Sequence, residues 1–181
     1  MSLDLRPGHL VRICIDKTWD GEPIASSEES RVELTLESGA LELRVDAPFF
    51  DDPEPPAPAG RLWKLWDYEV VEVFVAGPGA VYTEIEMGPY GHFLALALQG
   101  VRQITDAHLP IRYHAEIKGD RWSATARIDR ALLPPEPETI NGFACHGVGE
   151  KRRYLAAWPV PGSAPDFHRI EHFSRLIDLG W

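Results

Sequence analysis

Val70-Val-Glu-Val-Phe-Val75, Val81-Tyr-Thr-Glu-Ile-Glu-Met87 and Phe93-Leu-Ala-Leu-Ala-Leu98 decide the fold class. Each run is short and apolar-rich, and each alternates with the period of two that sends successive side chains to opposite faces of a strand. The pattern extends outward to residues 10–15, 31–37 and 41–46 on one side, and to 112–117, 121–128, 143–148 and 154–158 on the other. Lys118-Gly119-Asp120 and Asn141-Gly142 punctuate the series as turns. No stretch carries a sustained 3.6-residue apolar stripe; one turn at 129–133, with Asp129 as its N-cap and Pro134 as its stop, is the most helix expected. The expected fold is all-β, an antiparallel two-sheet β-sandwich with minor helix.

At 181 residues the chain fits a single domain over 1–181, large enough for a continuous core without disulfides. Hydrophobic residues at 44% and charged residues at 25% are globular usage and exclude a disordered chain. The 28 acidic against 18 basic residues give a net charge of -10, which repels nucleic acid and anionic membrane surfaces. Met1-Ser-Leu-Asp-Leu-Arg-Pro7 lacks the basic patch and apolar run of a secretion signal, and no apolar stretch reaches membrane-spanning length, so a cytoplasmic location is expected. Cys14 and Cys145 are distant, lack metal-ligand spacing and read as small reduced core residues. The Pro-rich segment 46–60 reads as a stiff surface loop, folded back on the sandwich because Phe49 and Phe50 are costly to leave in water.

Alternation also sorts the faces. If Val71, Val73 and Val75 point to the core, Glu72 and Phe74 point away, as do Tyr82, Glu84 and Glu86 on the next strand. The expected polar face holds Glu72, Glu84, Glu86, Arg127 and His146 beside Tyr82, Phe74 and Phe93, with Ala95 and Ala97 leaving it concave. Carboxylates on the solvent side of a sheet are ordinary. Three on adjacent strands repel unless a cation, proton or ligand compensates, and Arg127 is the compensator the alternation suggests.

Further stretches carry a family resemblance: Thr18-Trp-Asp-Gly21, Ala47-Pro-Phe-Phe-Asp-Asp-Pro53, Leu65-Trp-Asp-Tyr-Glu-Val-Val-Glu-Val-Phe74, Phe143-Ala-Cys-His-Gly147, Lys151-Arg-Arg-Tyr154 and Pro165-Asp-Phe-His168. With these the chain resembles an uncharacterised family spanning bacteria and animals, related to the DOMON-like fold and the family 9 carbohydrate-binding modules. The resemblance implies a sandwich that binds sugar-chain ends between aromatic rings and polar groups, often with structural calcium. It carries the module's tryptophan and acidic residues onto Trp66, Glu69 and Glu72, and its late tryptophan loop onto Ala157-Trp158-Pro159, making Trp158 a sugar platform.

Trp122 opens an alternating apolar row and reads as core, whereas Trp63, Trp66 and Trp158 stand at strand ends or in loops, where a ring can present its face to a sugar. Lys151-Arg-Arg153 offers Arg152 as a fork for an anionic group, or a solvated turn beside Glu150. Asp166 and His168 either cap a turn or close the ligand site. The leading expectation is a domain binding a sugar or similar polar small molecule through Trp66, Glu72, Tyr82, Glu84, Glu86, Arg127, His146, Arg152, Trp158 and His168. The alternatives are a glycoside-processing enzyme using Glu72 with Glu84 or Glu86, assisted by His146, and a protein-interaction domain using Phe49 and Phe50. No cofactor is required; calcium enters only through the resemblance, because Asp51, Asp52 and Glu54 lack a calcium-loop spacing and leave any metal site unassigned.

Overall fold

The computed structural model describes residues 8–37 and 39–180; the reading of residues 1–7 lies outside them. Among the described residues the strands are β1 (Leu10–Ile15), β2 (Lys17–Thr18), β3 (Ser30–Glu37), β4 (Ala40–Pro48), β5 (Gly60–Arg61), β6 (Val70–Gly77) and β7 (Val81–Met87). They continue with β8 (His92–Gln99), β9 (Ile104–Asp106), β10 (Ile111–Lys118), β11 (Arg121–Asp129), β12 (Thr139–His146), β13 (Arg153–Ala156) and β14 (Ser174–Arg175). The first sheet runs β1-β3-β4-β11-β10, and the second β2-β13-β12-β6-β7-β8-β5, with β14 on β12 and β9 on β8. Pairing is antiparallel apart from the two-residue contact of β5 with β8. This is the expected β-sandwich. Its helical content is short 3-10 turns, one of them at Arg130–Leu132 with the Asp129 carboxylate accepting from the Ala131 N–H at 2.9 Å.

The main core lies between the sheets, where Ile13, Ile15, Leu34, Leu43 and Trp122 meet Val71, Val73, Val75, Ile85 and Ala144. Gly119, at φ +64°, lets β10 turn into β11. The first sheet buries one face and exposes the other, as alternation requires. The second sheet does not: every residue of β6 from Val70 to Ala76 is buried. A second core of Leu65, Phe74, Tyr82, Leu96, Phe143 and Phe173 covers its outer face. The chain supplies that cover from the 3-10 turn Leu65–Asp67 and from residues 160–173, which contribute Val160 and Phe173.

Four expectations change at this level. The rows of β8 are reversed: Leu94, Leu96 and Leu98 pair with Glu86, Glu84 and Tyr82 on the outer face, while Ala95 and Ala97 pack in the inter-sheet core and Phe93 turns toward Tyr113. Both rows of β8 are apolar, so only pairing with β7 sets its phase. Asn141-Gly142 is strand interior. A Cβ on Gly142 would lie 2.8 Å from Ile13 Cγ2 of the facing sheet, and the Asn141 amide holds the Trp158 backbone, donating to its carbonyl at 2.8 Å and accepting its N–H at 3.2 Å. Cys14 is exposed rather than core, because β1 turns Ile13 and Ile15 inward. The Pro-rich loop starts later than residue 46, since Asp46–Pro48 still pair with β11.

The remaining loop folds back as expected. The Phe49 N–H donates to Asp120 O at 2.8 Å, Phe50 stacks on His146 at 3.5 Å, and the Glu69 carboxylate accepts from the Phe50 N–H at 3.2 Å. Both rings are half-buried and packed within the chain, which weakens a protein-docking role for the pair. No helix among the described residues is long and apolar enough to cross a membrane.

Candidate functional site

The second core does not fill the outer face of the second sheet completely. A cleft of about 660 Å³ remains, floored by Glu72 and Phe74 of β6, Glu84 of β7 and Leu96 and Leu98 of β8. Its aromatic walls come from distant stretches of chain. Trp63 and Trp66 meet edge to face with centroids 5.1 Å apart, and Phe167 stacks on Phe143 at 4.0 Å with its edge toward Tyr154. Trp63 is 51% exposed, a large ring left open at the rim.

Strand register places the carboxylates. Glu72 stands directly opposite Glu86 across β6 and β7, and Glu84 lies two residues along β7 on the same face. All three are buried, with relative exposures of 2%, 4% and 0% for Glu72, Glu84 and Glu86. Burial raises the Glu72 carboxyl to about 7, against a lowering by the Arg152 guanidinium. Burial and then the Glu72 charge hold Glu84 and Glu86 well above the usual carboxylate range. At neutral pH the cluster therefore stores protons. Apart from the hydrogen bond that Glu84 and Glu86 make with each other, Glu84 Oε2 and both Glu86 oxygens have no partner.

Arg152, not Arg127, is the cation at this cluster. Its Nη2 donates to Trp66 O at 2.7 Å and Tyr68 O at 2.8 Å, and its Nη1 donates to Gly147 O at 3.0 Å. One side chain thus pins the tryptophan-bearing turn to the end of β12 and brings a positive charge near Glu72. At another part of the rim the Arg102 backbone N–H donates to the Tyr82 oxygen at 2.9 Å, and the Tyr82 hydroxyl is hydrogen-bonded to His168 Nδ1 at 2.7 Å. Burial and then Arg102 depress the His168 pKa to about 4, which keeps the ring neutral at pH 7. Arg102 also donates to Asp166 at 2.8 Å.

No family model matches the chain. Curated proteins do match. The human UPF0462 protein C4orf33 is 37% identical over 173 residues, covering 90% of this chain and 85% of the human one. The mouse homolog is 38% identical over 170 residues, covering 88% of this chain and 87% of the mouse protein. The chain belongs to the UPF0462 family. A putative carbohydrate-binding protein from Bacteroides uniformis shares the fold of this UPF0462 chain at a TM-score of 0.67 and 13% identity, over 93% of this chain and 85% of that one. A family 9 carbohydrate-binding module from Caldicellulosiruptor kristjanssonii in complex with cellotriose gives a TM-score of 0.45 at 12% identity, covering 83% and 72% of the two chains, too distant to inform the site.

The structure of this UPF0462 member brings Trp66, Glu72, Glu84, Arg152 and His168 to one cleft, with Tyr82 beneath His168 and Glu86 behind Glu72. Three expected residues lie elsewhere. Arg127 is on β11 of the other sheet, paired with Glu42 on the sandwich's opposite outer face. His146 shares the face of Ala144, not of Phe143 and Glu72; it stacks on Phe50 and reaches Glu28 Oε1 at 3.1 Å, and burial lowers its pKa. Trp158 packs against the inter-sheet core.

Sequence reasoning missed Arg102 and Tyr154, because neither stands in a polar strand row. Arg102 comes from a tight turn at φ +59°. Asp52 Oδ2 accepts from the Gly147 N–H at 2.6 Å, and among the described residues no three His, Cys, Asp or Glu converge as around a metal.

Proposed function

We propose that this chain binds a carbohydrate or similar polar small molecule in the cleft on the outer face of its second sheet. The observation that carries this reading is the cleft itself: about 660 Å³, walled by Trp63, Trp66, Phe167 and Tyr154 and floored by buried carboxyls. Aromatic faces suit the apolar faces of a sugar ring, and convergent polar groups suit its hydroxyls. The fold shared with a putative carbohydrate-binding protein is consistent with this use, although fold alone does not assign function. The test is a thermal-shift screen of mono- and oligosaccharides and sugar acids, repeated with Trp63→Ala, which is expected to keep the fold because Trp63 is 51% exposed. A ligand that raises the unfolding temperature of the parent but not of Trp63→Ala supports the reading. An unfolding temperature that no sugar changes refutes it.

One observation favours a second reading, glycoside processing. The Glu72 carboxyl is raised to about 7 by burial, near a Glu84 that burial also holds well above the usual carboxylate range, and a pairing of proton donor and potential anion is what hydrolysis of a glycosidic bond requires. Diagonal neighbours across antiparallel strands stand roughly 7 Å apart, within the inverting separation. Release of nitrophenol from nitrophenyl glycosides, abolished in Glu84→Gln and Glu72→Gln, is the expected signature; turnover that survives both variants removes this pair from the mechanism.

A further inference from the structure

The charges around the cleft do not balance. Arg102 is matched by Asp166 at 2.8 Å, and the positive charge of Arg152 acts on Glu72. The N–H groups of Arg152 that make hydrogen bonds go to the carbonyls of Gly147, Trp66 and Tyr68. Glu84, on the cleft floor, and Glu86, directly across from Glu72, are left without a counter-ion, and apart from the hydrogen bond that the two acids make with each other three of their four carboxyl oxygens have no partner. Unsatisfied buried acceptors are costly, and a buried acid without a counter-ion keeps its proton. A group that donates hydrogen bonds and carries positive charge answers both deficits. The exposed Trp63 ring at the rim favours the same group, because a cation is attracted to an indole face.

We infer that the ligand of this cleft carries an ammonium group, as an amino sugar does, which donates to the Glu84 carboxyl between the tryptophan and tyrosine walls. This rests on the proposed binding role and specifies its ligand class. An amine that enters as the free base takes the proton of Glu84, and the ammonium so formed donates a charge-assisted hydrogen bond to the carboxylate left behind. A neutral sugar makes the aromatic contacts but leaves the carboxyl pair uncompensated.

Isothermal titration of the full chain with glucosamine, glucose, N-acetylglucosamine and ethanolamine tests this. Glucosamine is expected to bind at least about tenfold tighter than glucose or N-acetylglucosamine. In Glu84→Gln, which keeps the shape of the side chain, the preference for glucosamine over glucose is expected to vanish. Glucose or N-acetylglucosamine binding as tightly as glucosamine overturns the ammonium inference and leaves the sugar reading standing. Ethanolamine binding while all three sugars stay silent upholds the ammonium site and overturns the sugar reading. A glucosamine preference that survives Glu84→Gln overturns the role of Glu84, and no binding by any of the four overturns both.

Discussion

The two sheets expose their outer faces to opposite fates. On β4 and β11 of the first sheet, Glu42 and Arg127 face each other in a partly exposed ion pair open to solvent. On β6 and β7 of the second, Glu72 and Glu86 occupy the same kind of position but are roofed by the turn at Leu65–Asp67 and by residues 160–173. In sequence both are polar residues alternating with apolar ones. A glutamate in water is inert surface, whereas one under a roof has its charge suppressed and its proton retained. The chemical difference between the faces arises from what the loops cover.

Phe74→Ala should have the largest effect. Phe74 is fully buried in the second core, in contact with Tyr82, Phe143 and Phe173, and its truncation is expected to cost about 3–5 kcal/mol in urea unfolding. A loss under about 1 kcal/mol would mean that the roof is not a true core.

The pH dependence of stability comes next. Glu69 and Glu72 both have carboxyls raised to about 7, chiefly by burial, from an ordinary value of 4.5. Their contribution is complete below about pH 4.5 and is lost as pH rises through about 7, because the unfolded chain releases those protons earlier. His168, depressed from 6.5 to about 4, acts in the other direction: its contribution is complete above 6.5 and is lost as pH falls through about 4. Thermal unfolding should therefore be most resistant in mildly acidic buffer. Glu72→Gln should flatten the alkaline limb by up to a few kcal/mol, and an unchanged limb would show that Glu72 ionises freely in the fold.

Asp52→Ala should come third, at about 1–3 kcal/mol, because it strands the Gly147 N–H and loosens the Pro-rich loop. Limited proteolysis within residues 51–58 should quicken in parallel. The smallest effect belongs to the open face. Glu42→Ala should change stability by less than about 1 kcal/mol, and a larger loss would erase the contrast between the sheets.

Much of the strand pattern was legible because period-two alternation reports directly on half-buried strands; β1 and β7 begin and end where alternation puts them. Where the signal weakened, the reading slipped. Leu-Ala alternation in β8 has no polar row to fix its phase, and Asn141-Gly142 carries turn chemistry that a close inter-sheet approach overrides. Within the site, Glu72, Glu84 and Glu86 could be grouped from their shared row on neighbouring strands. Arg127, His146 and Trp158 were grouped with them although nothing in a strand pattern says which sheet or edge a residue joins.

The sequence by itself determined the all-β class, most of the strands, the grouping of three glutamates on one face and the family, because these depend on local alternation and on residues matched one by one. Only the tertiary structure decided that this face is covered, that Arg152 and not Arg127 is its cation, and that Trp63, Phe167 and Tyr154 wall a cleft above it. These depend on long-range packing of irregular loops, whose paths have no period to read, and burial rather than residue type sets the charge of the groups beneath them.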